Sequence, residues 1–214
     1  MAEKYFITPT ELHNDSFDLA RQIYDSGFRP DFMMALWRGG TPVGIAVHEY
    51  LQLQDFLNGE KRHDRFGPDH VPIRTSRYND EEGVGGTNEH VNVIGLEYFV
   101  NNANHDDSLL IIDDVHDAGT TIKAVIEDLK RKSRRNTPKD IRVAMVHYKP
   151  DNNETGRVPE FYLYETEHWL VYPHELMGLT DEERRIKTDI IDGRRENKVS
   201  LVRKVLEERR LSVV

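Results

Sequence analysis

The segment Leu109-Leu110-Ile111-Ile112-Asp113-Asp114-Val115-His116-Asp117-Ala118-Gly119-Thr120-Thr121-Ile122 constrains the fold more than any other stretch of the chain. Four apolar residues form a short buried-strand pattern and run directly into two carboxylates. A loop with one glycine and two threonines follows, and then the apolar spacing predicts an amphipathic helix over Thr121 to Arg131. Strand, loop and helix in that order are the repeating unit of a parallel sheet, whose ligands gather at the carboxyl ends of the strands. Asp113, Asp114 and Asp117 would be costly at a buried strand end unless something bonds them. The loop N–H groups, the helix dipole and the two hydroxyls favour a phosphate there, met by dipoles more than by side-chain cations. The plain structural alternative is a capped helix start. The pattern GxxxxGK[ST] is absent, so the loop is not that of a P-loop NTPase.

The flanking sequence repeats the same alternation. Helical spacing covers Leu12 to Asp25, with Thr8 or Thr10 as cap and Pro9 in the first turn. Phe32 to Leu36 is a short strand that stops at Arg38-Gly39-Gly40, and Pro42 to Leu53 follows as a helix. Asn58 to Pro72 is charged and rich in Gly and Pro, and is expected to be a surface insertion whose His63 and His70 are simply solvated. A strand over Ile73 to Arg77 precedes a Gly- and acid-rich loop, Asn79 to Asn88. Ile141 to Tyr148 and Phe161 to Tyr164 complete the strands. The expected fold is α/β, a mainly parallel twisted sheet with helices on both faces. Residues 1–179 make the main domain. Residues 180–214 form a charged helical extension, interrupted near Gly193, with an apolar stripe of Val199, Val202, Val205 and Leu206.

Composition narrows the function classes. The 214 residues hold no cysteine, which removes disulfides, thiolate metal sites and cysteine nucleophiles, and fits a cytoplasmic protein. No apolar run is long enough to span a bilayer, so no membrane association is expected. A net charge of -9 argues against a nucleic-acid partner.

With these motifs in view, the chain resembles the type I phosphoribosyltransferases. The strand, the acid pair and the Asp117-Ala118-Gly119-Thr120-Thr121 loop are similar to that family's binding motif for phosphoribosyl pyrophosphate (PRPP), with alanine at 118 where threonine is common. The resemblance implies that Asp113 and Asp114 hold the ribose hydroxyls directly or through Mg²⁺, that Asp117 is the acid/base beside the purine, and that Ala118 to Thr121 cradle the 5′-phosphate. It implies that Arg38, Gly39 and Gly40 meet the pyrophosphate, next to an unusual peptide at Arg38 for which cis is one form. Ser76, Arg77 and Tyr78 would enter a hood loop that closes over the reacting centre.

Lys149 follows a strand at the ligand edge and can donate to a ring oxo group, while Trp169 offers a stacking face. The stretch from Val158 to Pro173 is similar to small bacterial and archaeal xanthine-guanine and hypoxanthine enzymes. That likeness implies Trp169 as the stacking ring, Leu170 as a backbone contact to the base edge and Glu175 near the 2-position. The expected activity is phosphoribosyl transfer from PRPP to a 6-oxopurine by a homo-oligomer, a dimer or tetramer. Two rivals remain. A phosphorelay receiver lacks its phosphoacceptor aspartate here, and a PRPP-binding regulator without catalysis would not need Asp117.

Overall fold

The computed structural model describes residues 4–78 and 90–191. Its main sheet is built on β2 (Phe32–Trp37), β3 (Asp69–Tyr78), β4 (His90–Ile94), β5 (Ser108–His116), β6 (Asp140–Tyr148) and β7 (Phe161–Glu165), in the order β4-β3-β2-β5-β6-β7. All neighbours are parallel except β3 and β4. Side chains alternate across a strand, so β5 feeds two cores. Leu110 and Ile112 pack with Leu19, Ile23, Val43, Val47 and Leu51 of α1 (Pro9–Asp25) and α2 (Gly40–Asn58). Leu109 and Ile111 pack on the other face with Phe99 of α3 (Glu97–Asn102) and Ile122, Val125 and Leu129 of α4 (Thr120–Ser133). A parallel sheet covered on both faces is the expected fold.

Local chemistry sets the boundaries. Thr8, not Thr10, caps α1: its hydroxyl accepts the Glu11 N–H at 3.1 Å while Glu11 reaches back to the Thr8 N–H at 3.3 Å. Helix α2 starts earlier and ends later than its apolar pattern predicts, closing at Gly59 with φ +67°. Strand β5 runs on through both aspartates to His116 because that stretch pairs with Met145, His147 and Tyr148 of β6.

The expected surface insertion is corrected. Its last four residues belong to β3, which starts at Asp69. The stretch before β3 is tied to buried Asp55, whose carboxylate accepts from Arg62 and, at 3.0 Å, from the Gly67 N–H. His63 and His70 are not merely solvated. His63 Nε2 lies 3.1 Å from Asp107 Oδ1 and 3.7 Å from Asp31 Oδ1, and His70 packs edge-on to His48 at 4.4 Å between ring centroids.

Two further elements come from the chain ends. Strand β1 (Lys4–Phe6) pairs in parallel with β8 (Trp169–Val171) in a separate small sheet. Helix α5 (Asp181–Ile191) is the described part of the helical extension. The expected break near Gly193 and the stripe from Val199 to Leu206 lie outside the described residues, as does the loop Asn79 to Asn88.

Candidate active site

The site forms where β2, β5 and β6 end. The phosphate-loop segment Asp113 to Ile122 lines a cleft of about 180 Å³. Gly119 precedes α4 with φ +78°, a conformation that side-chain-bearing residues rarely adopt. A Cβ there would meet Thr155 Oγ1 at 2.6 Å and His116 Nε2 at 2.7 Å. The loop is thus pressed against its supports, and the Ala118 carbonyl accepts the Glu154 N–H at 3.1 Å. Thr120 and Thr121 open α4, where unpaired N–H groups and the helix dipole favour an anion. His116 is buried beneath this loop, edge-on to Tyr148, and burial, then Arg157, hold its pKa below the usual value.

Arg38-Gly39-Gly40 turns from β2 into α2 at the same sheet edge, and the Trp37–Arg38 peptide is cis. A Cβ on Gly39 would sit 2.4 Å from Asp114 Oδ2, and one on Gly40 would sit 2.2 Å from the Ile112 carbonyl oxygen. Only glycine permits this contact, so the predicted pyrophosphate turn packs directly on the acid pair at the end of β5.

The aspartate pair faces inward. Asp113 accepts the Asp114 N–H at 3.1 Å, and burial followed by the Asp114 charge pushes its pKa well up. Asp114 Oδ1 accepts the Val115 N–H at 2.8 Å, and Oδ2 lies 3.0 Å from His174 Nε2. The Tyr172 hydroxyl donates to the Asp114 carbonyl at 3.1 Å and lies 2.8 Å from His147 Nδ1. Burial and then Lys149 lower His147 to about 3, so it is neutral near pH 7, while burial and then Asp114 hold Tyr172 protonated. These three residues carry the acid pair on a polar network that sequence reasoning missed. The only advance sign was polar Tyr172 and His174 flanking Pro173 just after a strand.

Asp117 stands on the lip of the cleft. Its Oδ2 accepts from Lys149 Nζ at 3.1 Å and its Oδ1 from Asn152 Nδ2 at 2.7 Å. Lys149 is nearly buried at the end of β6 and is anchored by its own N–H to the His116 carbonyl at 2.9 Å. The lysine and aspartate, 32 residues apart, are therefore one unit.

Of the predicted base-pocket residues, Trp169 is 59% exposed, with the Lys4 ammonium 5.4 Å from its ring centroid, and Leu170 is buried. Glu175 Oε2 accepts the Tyr172 N–H at 3.0 Å, a local bond within its own turn. Ser76 lies in β3, and the main chains of Arg77 and Tyr78 pair with Val91 and His90. Among the described residues, one other group of ligand-type side chains, Asp31, His63 and Asp107, lies at the opposite ends of β2 and β5, where the His63–Asp107 hydrogen bond accounts for it.

A mostly parallel sheet that ends in an acid pair, a glycine-threonine loop and a facing Arg-Gly-Gly turn is the architecture of the type I phosphoribosyltransferase fold. The phosphoribosyl transferase domain family matches residues 10–173, and the chain belongs to that family.

Solved structures agree in fold. A purine phosphoribosyltransferase from Pyrococcus horikoshii Ot3 is 23% identical with a TM-score of 0.60, over 83% of this chain and 98% of that one. A hypothetical protein from Neisseria gonorrhoeae with bound ppGpp is 19% identical with a TM-score of 0.66, over 91% and 99%. A Helicobacter pylori xanthine-guanine-hypoxanthine phosphoribosyltransferase is 14% identical with a TM-score of 0.58, over 87% and 99%. No curated protein matches the chain. Among the described residues, no helix is long and apolar enough to cross a membrane.

Proposed function

We propose that this phosphoribosyltransferase uses a 6-oxopurine (hypoxanthine, guanine or xanthine) as acceptor, in purine salvage. The observation that carries the reading is the Lys149–Asp117 pair, joined at 3.1 Å on the lip of the phosphate loop. Lys149 has three N–H donors and no acceptor, and Asp117 engages one of them. A second can reach a purine oxo group, while Asp117 faces the ring-nitrogen side of the same base. Adenine would meet Lys149 donor to donor.

In this reading the 5′-phosphate sits on Ala118, Gly119, Thr120 and Thr121, and the pyrophosphate on the Arg38-Gly39-Gly40 turn. Asp113 and Asp114 hold the ribose hydroxyls. Asp113 is pushed up by burial and by its charged neighbour, so a hydroxyl donor or hard cation beside the pair relieves both. Their oxygen donors fit Mg²⁺, which would neutralise the pyrophosphate. A purine nitrogen forms the bond to C1 of the ribose as the C1–O bond to pyrophosphate breaks, with its electron pair leaving on the pyrophosphate oxygen. Asp117 takes the base proton. Trp169 stacks on the base, Leu170 bonds its edge through the backbone, and Glu175 lies toward its 2-position.

Lys149→Met tests the reading. The account expects kcat/KM for 6-oxopurines to fall sharply while PRPP binding is kept. Unchanged turnover would remove Lys149 from base recognition.

A further inference from the structure

The family match ends at residue 173, but the chain then folds back onto the segment assigned to the base. Leu179 is buried, and Thr180 caps α5 through paired bonds with Glu183, at 3.2 Å to the Glu183 N–H and 2.8 Å from its own N–H. One helical turn beyond Glu183, Lys187 is only 2% exposed. Lysine is almost never buried so fully without partners. Its ammonium donates to the carbonyl oxygens of both Tyr172 and Glu175.

Those carbonyls belong to one turn. The Glu175 N–H donates to the Tyr172 carbonyl at 3.0 Å, and Glu175 Oε2 accepts the Tyr172 N–H at 3.0 Å. The turn presents His174 to Asp114 Oδ2 and Tyr172 to the Asp114 carbonyl. Immediately before it stand Trp169 and Leu170, in β8. A second tie runs alongside: Lys4 Nζ lies 2.8 Å from Glu183 Oε1 and over the Trp169 ring. Burial draws the Lys187 pKa down, with the Glu175 charge opposing it. The two carbonyls thus hold a charged donor at a desolvation cost, which an exposed surface lysine would not incur.

We propose that Lys187 is a positioning residue for base recognition, locking the Tyr172–Glu175 turn so that the Leu170 backbone and the Trp169 ring keep the geometry in which the base binds. The proposal rests on the reading above that this segment meets the base. It makes the C-terminal extension part of the acceptor pocket.

The test uses the full chain with Lys187→Met and Lys187→Arg, read by hydrogen–deuterium exchange, steady-state kinetics and thermal unfolding. In Lys187→Met, exchange of the residues 170–176 should quicken, and KM for the base should rise about 10-fold or more, because ~1 Å of misplacement can cost about 10²-fold. KM for PRPP should rise several-fold less than KM for the base, because the turn reaches the ribose side only through the His174 and Tyr172 bonds to Asp114. Lys187→Arg should restore part of the loss, since a guanidinium can serve both carbonyls. If Lys187→Met does not fold, Lys187→Gln supplies the same comparison with one donor group kept.

Unchanged exchange and base KM in a folded variant overturn the proposal. So does a parallel loss of base and PRPP use with a lower melting temperature, which marks a purely structural contact. A wild-type protein inactive with every purine defeats the catalytic reading instead, and exchange at 170–176 still decides whether Lys187 braces the turn.

Discussion

Replacing Gly40 by alanine tests whether the Arg38-Gly39-Gly40 turn must pack against β5 at the acid pair. The added Cβ would lie 2.2 Å from the Ile112 carbonyl oxygen and 2.9 Å from the Asp113 Cα. Both neighbours are backbone of β5, a central strand, so neither can swing aside. Ordinary contact begins at 3.4 Å, so the Arg38-Gly39-Gly40 turn must retreat by about 1 Å. Overpacking of this kind costs about 1–3 kcal/mol. For a chain of this size each kcal/mol lowers Tm by about 2–4 °C. A ~1 Å retreat of a substrate loop is worth about 10²-fold in rate. Gly40→Ala should therefore stay folded with a modest loss of Tm, while kcat/KM for PRPP falls about 10²-fold. Gly27→Ala is the control. Gly27 has a φ of +81°, which strains an alanine, but nothing lies within 4 Å of its Cβ, so the variant should lose stability and keep full activity. Wild-type kinetics with PRPP in folded Gly40→Ala would refute the assignment of this turn.

The remaining expectations concern chemistry and stability. Asp117→Ala should lower kcat by about 10²–10⁴-fold with little change in PRPP binding, checked by turnover and isothermal titration. Arg62→Ala leaves the buried Asp55 carboxylate without its cation and should cost about 3–5 kcal/mol in denaturant unfolding, with activity kept below the transition. His147 carries a pKa of about 3 in the fold against 6.5 ordinarily, so between those values the unfolded chain binds more protons. Its burial therefore removes stability as pH falls from 6.5 toward 3, by up to about 1.4 kcal/mol per pH unit. His147→Gln should flatten that slope relative to wild type, measured by chemical denaturation across the range.

Much of the architecture was legible because local pattern and tertiary environment agree. Leu109 to Ile112 alternate between two cores, which is why an unbroken apolar run marked the central strand. The glycines at 39, 40 and 119 fall in the two loops that the sequence singles out, and each proves to be one that a Cβ would block. What escaped depends on partners distant in sequence. Strand β1 exists only by pairing with β8, whose residues come after every strand of the main sheet. His63 looked like a loop residue, since nothing local shows that Asp107 waits at the start of β5. His174 and Tyr172 acquire their role only when the turn after β8 folds over Asp114. Strand β3 begins four residues before its apolar pattern does, because its first residues, Asp69 and His70, pair with Phe32 and Met33 of β2 and not by their own hydrophobicity.

The central claim is that the Lys149–Asp117 pair selects a 6-oxopurine. The most direct measurement incubates the protein with PRPP and Mg²⁺ and, separately, hypoxanthine, guanine, xanthine and adenine, and follows pyrophosphate release. The account predicts release with at least one 6-oxopurine and turnover of adenine lower by about 10⁴-fold, since a site built to bond an oxo group rejects an analogue that cannot accept. Efficient turnover of adenine, or no release with any of the four, would contradict it.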